Sequence, residues 1–116
     1  MSSNYAQQLA ASKMHGWHVY VLAEDGGEYS KIGSALNFRY RLAGVQGGNP
    51  RKLILCAVWH FKDRGHARQV EAWALGRADV ERVAKRDWVK CRPERAIELV
   101  NLAIRAAGHE CAEVAL

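Results

Sequence analysis

Apolar, β-branched and aromatic residues crowd positions 17 to 23, Trp-His-Val-Tyr-Val-Leu-Ala, which predicts a strand. Glu24-Asp25-Gly26-Gly27-Glu28 is a turn cluster, and Tyr29 to Ser34 resumes a short strand, so the two segments predict a β-hairpin with a loop of about five residues. Asn37 is a good N-cap for a helix to about Gln46, with Phe38, Leu42 and Val45 on its inner face and Gly47-Gly48-Asn49-Pro50 as its stop. Leu53 to Phe61 predicts a third strand, the most buried of the set. Helical periodicity returns from residue 63 to about 78, with Ala67, Val70 and Ala74 inward and Trp73 beside them. Trp88-Val89-Lys90-Cys91 suits an edge strand or an extended segment. Pro93 then opens a last helix to about Ala107, with Glu94 near the positive end of its dipole and Gly108 as its stop.

Three segments are less defined. Ala6 to Met14 allows a short amphipathic helix before Gly16, Asp79 to Arg86 extends the second long helix or loops, and His109 to Leu116 reads as a tail. The expected architecture is α+β, a small three-stranded sheet flanked by helices. It forms a single domain over residues 1–116, with its core at about 17–104, an N-terminal extension over 1–16 and a tail over 108–116.

Composition narrows the class. A chain of 116 residues that is 49% hydrophobic and 25% charged can bury a core without disulfides or a structural metal. No apolar run approaches the ~20 residues of a membrane helix, and Met1 to Met14 lacks the charged and apolar regions of a secretory signal. A cytoplasmic location is expected. Cys56, Cys91 and Cys111 are odd in number and far apart, so they are expected to be reduced, and Cys56 reads as a small core residue. The five histidines show no zinc spacing.

The net charge of +5 is unevenly placed. Between Glu28 and Asp63 there is no acidic residue, while Lys31, Arg39, Arg41, Arg51, Lys52 and Lys62 all fall in that stretch. Arginine outnumbers lysine over the whole chain, and a guanidinium fork matches phosphate oxygens. An unneutralised basic region of this kind fits a polyanion, and it fits equally a solvated face without a ligand.

Three groups carry candidate chemistry. Arg41 projects off the centre of the apolar face of its helix, which predicts a half-buried position at the sheet edge, either presenting its guanidinium to a phosphate or snorkelling to a surface carboxylate. Glu71 borders the core of the second helix. Its carboxylate needs a partner, either a hard cation with its waters or Arg68 at i−3. Strand alternation puts His18, Tyr20 and Leu22 on one face and Tyr29, Lys31 and Gly33 on one face of the next strand. A suitable register would let Tyr20, Tyr29 and Lys31 converge on one polar surface, and plain half-buried packing of the tyrosines is the alternative.

The order of these residues resembles the GIY-YIG nuclease superfamily over about Trp17 to Ile104. His18-Val19-Tyr20 is similar to the G-I-Y element, Lys31-Ile32-Gly33 to the Y-I-G element, and Gly33 to Leu42 to the stretch that delivers the family arginine, Arg41. Glu71 matches the metal-binding glutamate, and Gly48-Asn49-Pro50 with Asp87-Trp88-Val89 is close to a smaller subfamily with K-I-G. The resemblance implies a divalent-metal-dependent endonuclease that hydrolyses DNA phosphodiester bonds with Mg²⁺ or Mn²⁺. Tyr20 would orient the attacking water, Arg41 would stabilise phosphate charge, Glu71 would hold the metal, and Lys31 would stand where the second tyrosine usually is. Lys31, Arg39, Arg41, Arg51 and Lys52 would contact DNA, or RNA.

Departures from the pattern keep an alternative open. Lys31 replaces tyrosine, His18 replaces glycine, and Val45 and Leu75 stand where related sequences often carry proton-transferring side chains. A nucleic-acid-binding module without turnover is that alternative. The stripe of Ile97, Val100 and Ile104, with Leu99 and Leu102, is broad for one buried face, so a homodimer through the last helix is also open.

Overall fold

The computed structural model describes residues 16–78, 82–83, 88–114 and 116. The helix considered over Ala6 to Met14 lies outside them, as does most of Asp79 to Arg86. The elements are β1 (Trp17–Glu24), β2 (Ser30–Ala35), α1 (Phe38–Gly47), β3 (Leu53–Phe61), α2 (Arg64–Arg77), β4 (Trp88–Val89), α3 (Pro93–Ala107) and β5 (Cys111–Glu113). The sheet is antiparallel throughout, in the order β4-β2-β1-β3-β5.

The domain is therefore α+β with five strands, not three. One addition is β4, the edge strand considered for Trp88-Val89. The other corrects the tail: Cys111 to Glu113 pair with Phe61 to Trp59 as β5. Gly108 makes this return possible. Its left-handed φ of 70° ends α3 and turns the chain back toward the sheet, a conformation open to glycine at little cost.

The most buried strand is β1, which corrects the expectation for β3. It lies at the centre of the sheet, with β2 and β3 on its two sides, and all residues from His18 to Ala23 are buried. Alternation divides it cleanly. Val19 and Val21 join Ile32, Trp59 and Phe61 under α2 and α3, which bring Ala67, Val70, Ala74, Leu99 and Val100 to that core. Tyr20 and Leu22 face the other way with Ala35 and Val58, under Phe38 of α1. A bulge between Val21 and Leu22 leaves Cys56 as the extra residue on β3. Cys56 is only half-buried, and burial, aided by Glu94, pushes its thiol pKa up.

Caps follow the sequence. The Asn37 side chain accepts a hydrogen bond from Tyr40 N, and that of Asp63 accepts one from His66 N. Pro93 occupies the first turn of α3. Ile97 and Ile104 pack half-buried on the same core as Leu99 and Val100, and Leu102 is half-buried. Among the described residues no helix is long and apolar enough to cross a membrane.

Candidate functional site

Tyr20 and Gly33 are direct partners across β1 and β2. The tyrosine is 1% exposed, and its ring leans over the neighbouring strand. A Cβ added at Gly33 would stand 2.5 Å from both the Tyr20 hydroxyl oxygen and the ring carbon that carries it. Glycine is thus required here by a close approach and not by an unusual φ. The missing side chain leaves room for the hydroxyl over β2, whose outer side carries β4.

That side is open along part of its length. β4 pairs only with Ser30 and Lys31. From Ile32 to Ala35, β2 has a ladder to β1 alone among the described residues.

Ser34 follows Gly33 and points to the opposite face, with Ile32. Its hydroxyl donates a 2.6 Å hydrogen bond to Glu71 Oε1. Glu71 is half-buried on α2 beside Val70, which is fully buried. Arg68 is exposed. Ser34 is a partner of this carboxylate that sequence reasoning missed. The signal was available: alternation in β2 puts Ser34 on the helix-covered face, where a hydroxyl requires a hydrogen-bonding partner.

Lys31 lies on the Tyr20 face but opposite Leu22. It is 8% exposed, with its ammonium 5.9 Å from the centre of the Trp88 ring, within cation–π range. The register does not bring Tyr29 to Tyr20. Tyr29 precedes β2, and its carbonyl accepts from Glu24 N at the loop end of the hairpin, about 13 Å along the strand from Tyr20. The expected convergence of the two tyrosines with Lys31 is corrected accordingly.

Arg41 is exposed and not half-buried as expected. The reason is the narrow contact of α1, which buries only Phe38 and half-buries Leu42 and Val45. One turn past the Phe38 anchor, the guanidinium is already in solvent. It still belongs to the Tyr20 side of the sheet, sharing a pocket with Ala35, two residues beyond Gly33 on β2. Arg39 is exposed on the same helix.

Arg51 and Lys52 stand at the other end, before β3 begins. Arg51 approaches Glu24 at 3.9 Å and Lys62 approaches Glu110 at 3.5 Å, so the basic stretch is partly neutralised by acids from elsewhere in the chain. Gln46 binds Leu53 N and Arg51 O and fixes the end of α1 to this corner.

His18 is core. It is 1% exposed, its ring centre lies 4.8 Å from that of Phe38 and 5.2 Å from that of His60, and its buried Nδ1 has no hydrogen-bond partner among the described residues. Burial, with His60 adding to it, lowers its pKa to about 4. His66 and His109 stack on one another at 3.8 Å. Among the described residues no group of three or more His, Cys, Asp or Glu side chains is gathered for a metal. Glu71 is the carboxylate at the β2 edge, a donor set that fits a cation completed by waters and substrate phosphate rather than a caged one.

No protein-family model matches the sequence, and no curated protein and no solved structure matches it either.

Proposed function

We propose that the protein is a GIY-YIG-like endonuclease that hydrolyses phosphodiester bonds in DNA at the open edge of β2. The observation that carries this reading is the bracketing of two adjacent residues. The Tyr20 hydroxyl lies over Gly33, and the Glu71 carboxylate is hydrogen-bonded to Ser34, so a phenol and a carboxylate reach one stretch of strand from its two faces.

In this reading the Tyr20 hydroxyl orients the water that attacks phosphorus. A phenol does so by accepting and donating hydrogen bonds. The Arg41 guanidinium, carried in solvent by α1, supplies paired donors to the phosphate oxygens as charge grows in the transition state. Lys31 adds a positive charge along the same strand. Ser34 holds the Glu71 carboxylate in one orientation. A Mg²⁺ or Mn²⁺ ion held by Glu71 would supply Lewis-acid activation of the phosphate. Arg39, Arg51 and Lys52 serve as contacts to the flanking phosphate backbone, which strengthen binding without touching the scissile bond.

The test is nicking of supercoiled plasmid by wild type and Glu71→Gln, each with Mg²⁺, with Mn²⁺ and with EDTA. The amide can keep the Ser34 hydrogen bond, so the substitution removes charge and little else. Metal-dependent nicking by wild type that Glu71→Gln loses is the expected result. The depth of Tyr20 and the seating of Lys31 on Trp88 favour a second reading, a binding module without turnover. Salt-sensitive DNA binding by folded wild type with no nicking would select it.

A further inference from the structure

Tyr40 is 81% exposed, the most exposed of the large hydrophobic side chains among the described residues. Folding gains little from it, because Phe38 alone anchors α1 in the core. It borders a pocket of about 560 Å³ lined by Ala35, Asn37, Tyr40, Arg41, Gly44 and Val45, within the size range of small-molecule sites. Gly44 is one helical turn after Tyr40, so the two share a face of α1. A glycine inside a helix weakens it, and no close contact among the described residues requires one here. A Cβ at Gly44 would meet no atom within 4 Å. The space that this glycine leaves next to an exposed aromatic ring serves no internal contact.

The charge around that space has one sign. Arg41 is in the pocket wall and Arg39 flanks Tyr40, and the first turn of α1 contains no acidic residue. A flat apolar group joined to phosphate is the ligand that such a surface matches. A base stacks on an aromatic face whatever its sequence, and arginine takes the adjoining phosphate.

We infer that the Tyr40–Gly44 pocket receives an unpaired base of single-stranded DNA, stacked on the Tyr40 ring, with its phosphate held by Arg41. The inference rests on the nuclease reading for its orientation, since it presents the strand to the β2 edge through Ala35. It narrows the substrate to DNA with an unstacked nucleotide: a single strand, a flap or a distorted junction. A base inside a regular duplex has no free face to offer.

The experiment uses the full chain without added metal, titrated into a short oligothymidine carrying one 2-aminopurine, whose fluorescence falls on stacking. Wild type is expected to quench it and to bind the single strand more tightly than the duplex of the same sequence. Tyr40→Ala should abolish the quenching and weaken binding roughly five- to a hundred-fold, and Tyr40→Trp should restore both. Gly44→Leu should fill the pocket and block quenching while helicity by circular dichroism is kept or raised. Equal quenching by wild type and Tyr40→Ala, or equal binding of duplex and single strand, would overturn the inference. Tighter binding of the matching oligouridine would overturn its assignment to DNA. The readout needs no turnover, so failures separate. Quenching without cleavage removes the nuclease reading and keeps the pocket, whereas cleavage indifferent to Tyr40 does the reverse.

Discussion

The hydroxyl of Tyr20 occupies the space that a side chain at residue 33 would need. The pair stands in register at the centre of the sheet, so neither residue can move aside without shifting a ladder of β1. Gly33→Ala is expected to destabilise the fold by about 1–3 kcal/mol through overpacking. In a Tyr20→Leu background the same change should cost almost nothing. Urea denaturation of the four proteins of this double-mutant cycle measures the coupling, and additive effects would show that the clash is not the cause.

Ser34 and Glu71 test how the carboxylate is held. On the proposed nuclease reading, Ser34→Ala should lower cleavage about tenfold, with a stability loss of at most about 1.5 kcal/mol, because one hydrogen bond to a charged group is removed while Glu71 keeps access to water. Its apparent metal requirement should rise in parallel. Titration of nicking against Mg²⁺ checks this, and an unchanged midpoint would assign Ser34 a packing role only.

Arg41 and Arg51 separate chemistry from binding. Both are exposed, so Ala at either position should leave thermal stability within about 0.5 kcal/mol of wild type. On the proposed nuclease reading, Arg41→Ala should reduce nicking at saturating DNA at least a hundredfold, the cost of a lost transition-state donor. Arg51→Ala should lower the salt slope of DNA binding by about one phosphate contact and leave saturated turnover intact. Reversal of the two outcomes would move the reaction to the far end of the sheet.

His18 makes stability depend on pH. Its folded pKa of about 4 lies below the ordinary 6.5, so between those values the unfolded chain binds the extra proton. The contribution is fully present above pH 6.5 and is lost as pH falls toward 4, to a limit of about 3 kcal/mol. His18→Phe should flatten this part of the profile. Melting temperatures of both proteins from pH 7 to pH 4 decide it, and parallel curves would remove His18 as the origin.

The elements that sequence made legible are those with strong local punctuation. Asn37, Pro93 and Gly108 cap or open helices where they were expected to, and β3 runs over the anticipated Leu53 to Phe61. β5 was not legible, because Cys-Ala-Glu carries no strand signal and owes its conformation to pairing with β3. The burial of β1 depends on strand order, which no local pattern encodes. For the site, periodicity placed Tyr20, Lys31 and Glu71 on the correct elements. It overstated the burial of Arg41, since that depends on how far a helix overhangs its sheet.

The ladder of β5 joins residues roughly fifty positions apart, whereas β1 and β2 are joined through a short loop. Closing the long loop costs more chain entropy, and only three residue pairs reward it. The two pairs of the β4 ladder span still longer separations, so the hairpin is expected to form early and the two short edge strands, β4 and β5, to zip last. In the native protein the same order runs backwards. Amide protons of the β4 and β5 ladders are expected to exchange first with solvent, through local openings that leave the Tyr20–Gly33 pair closed.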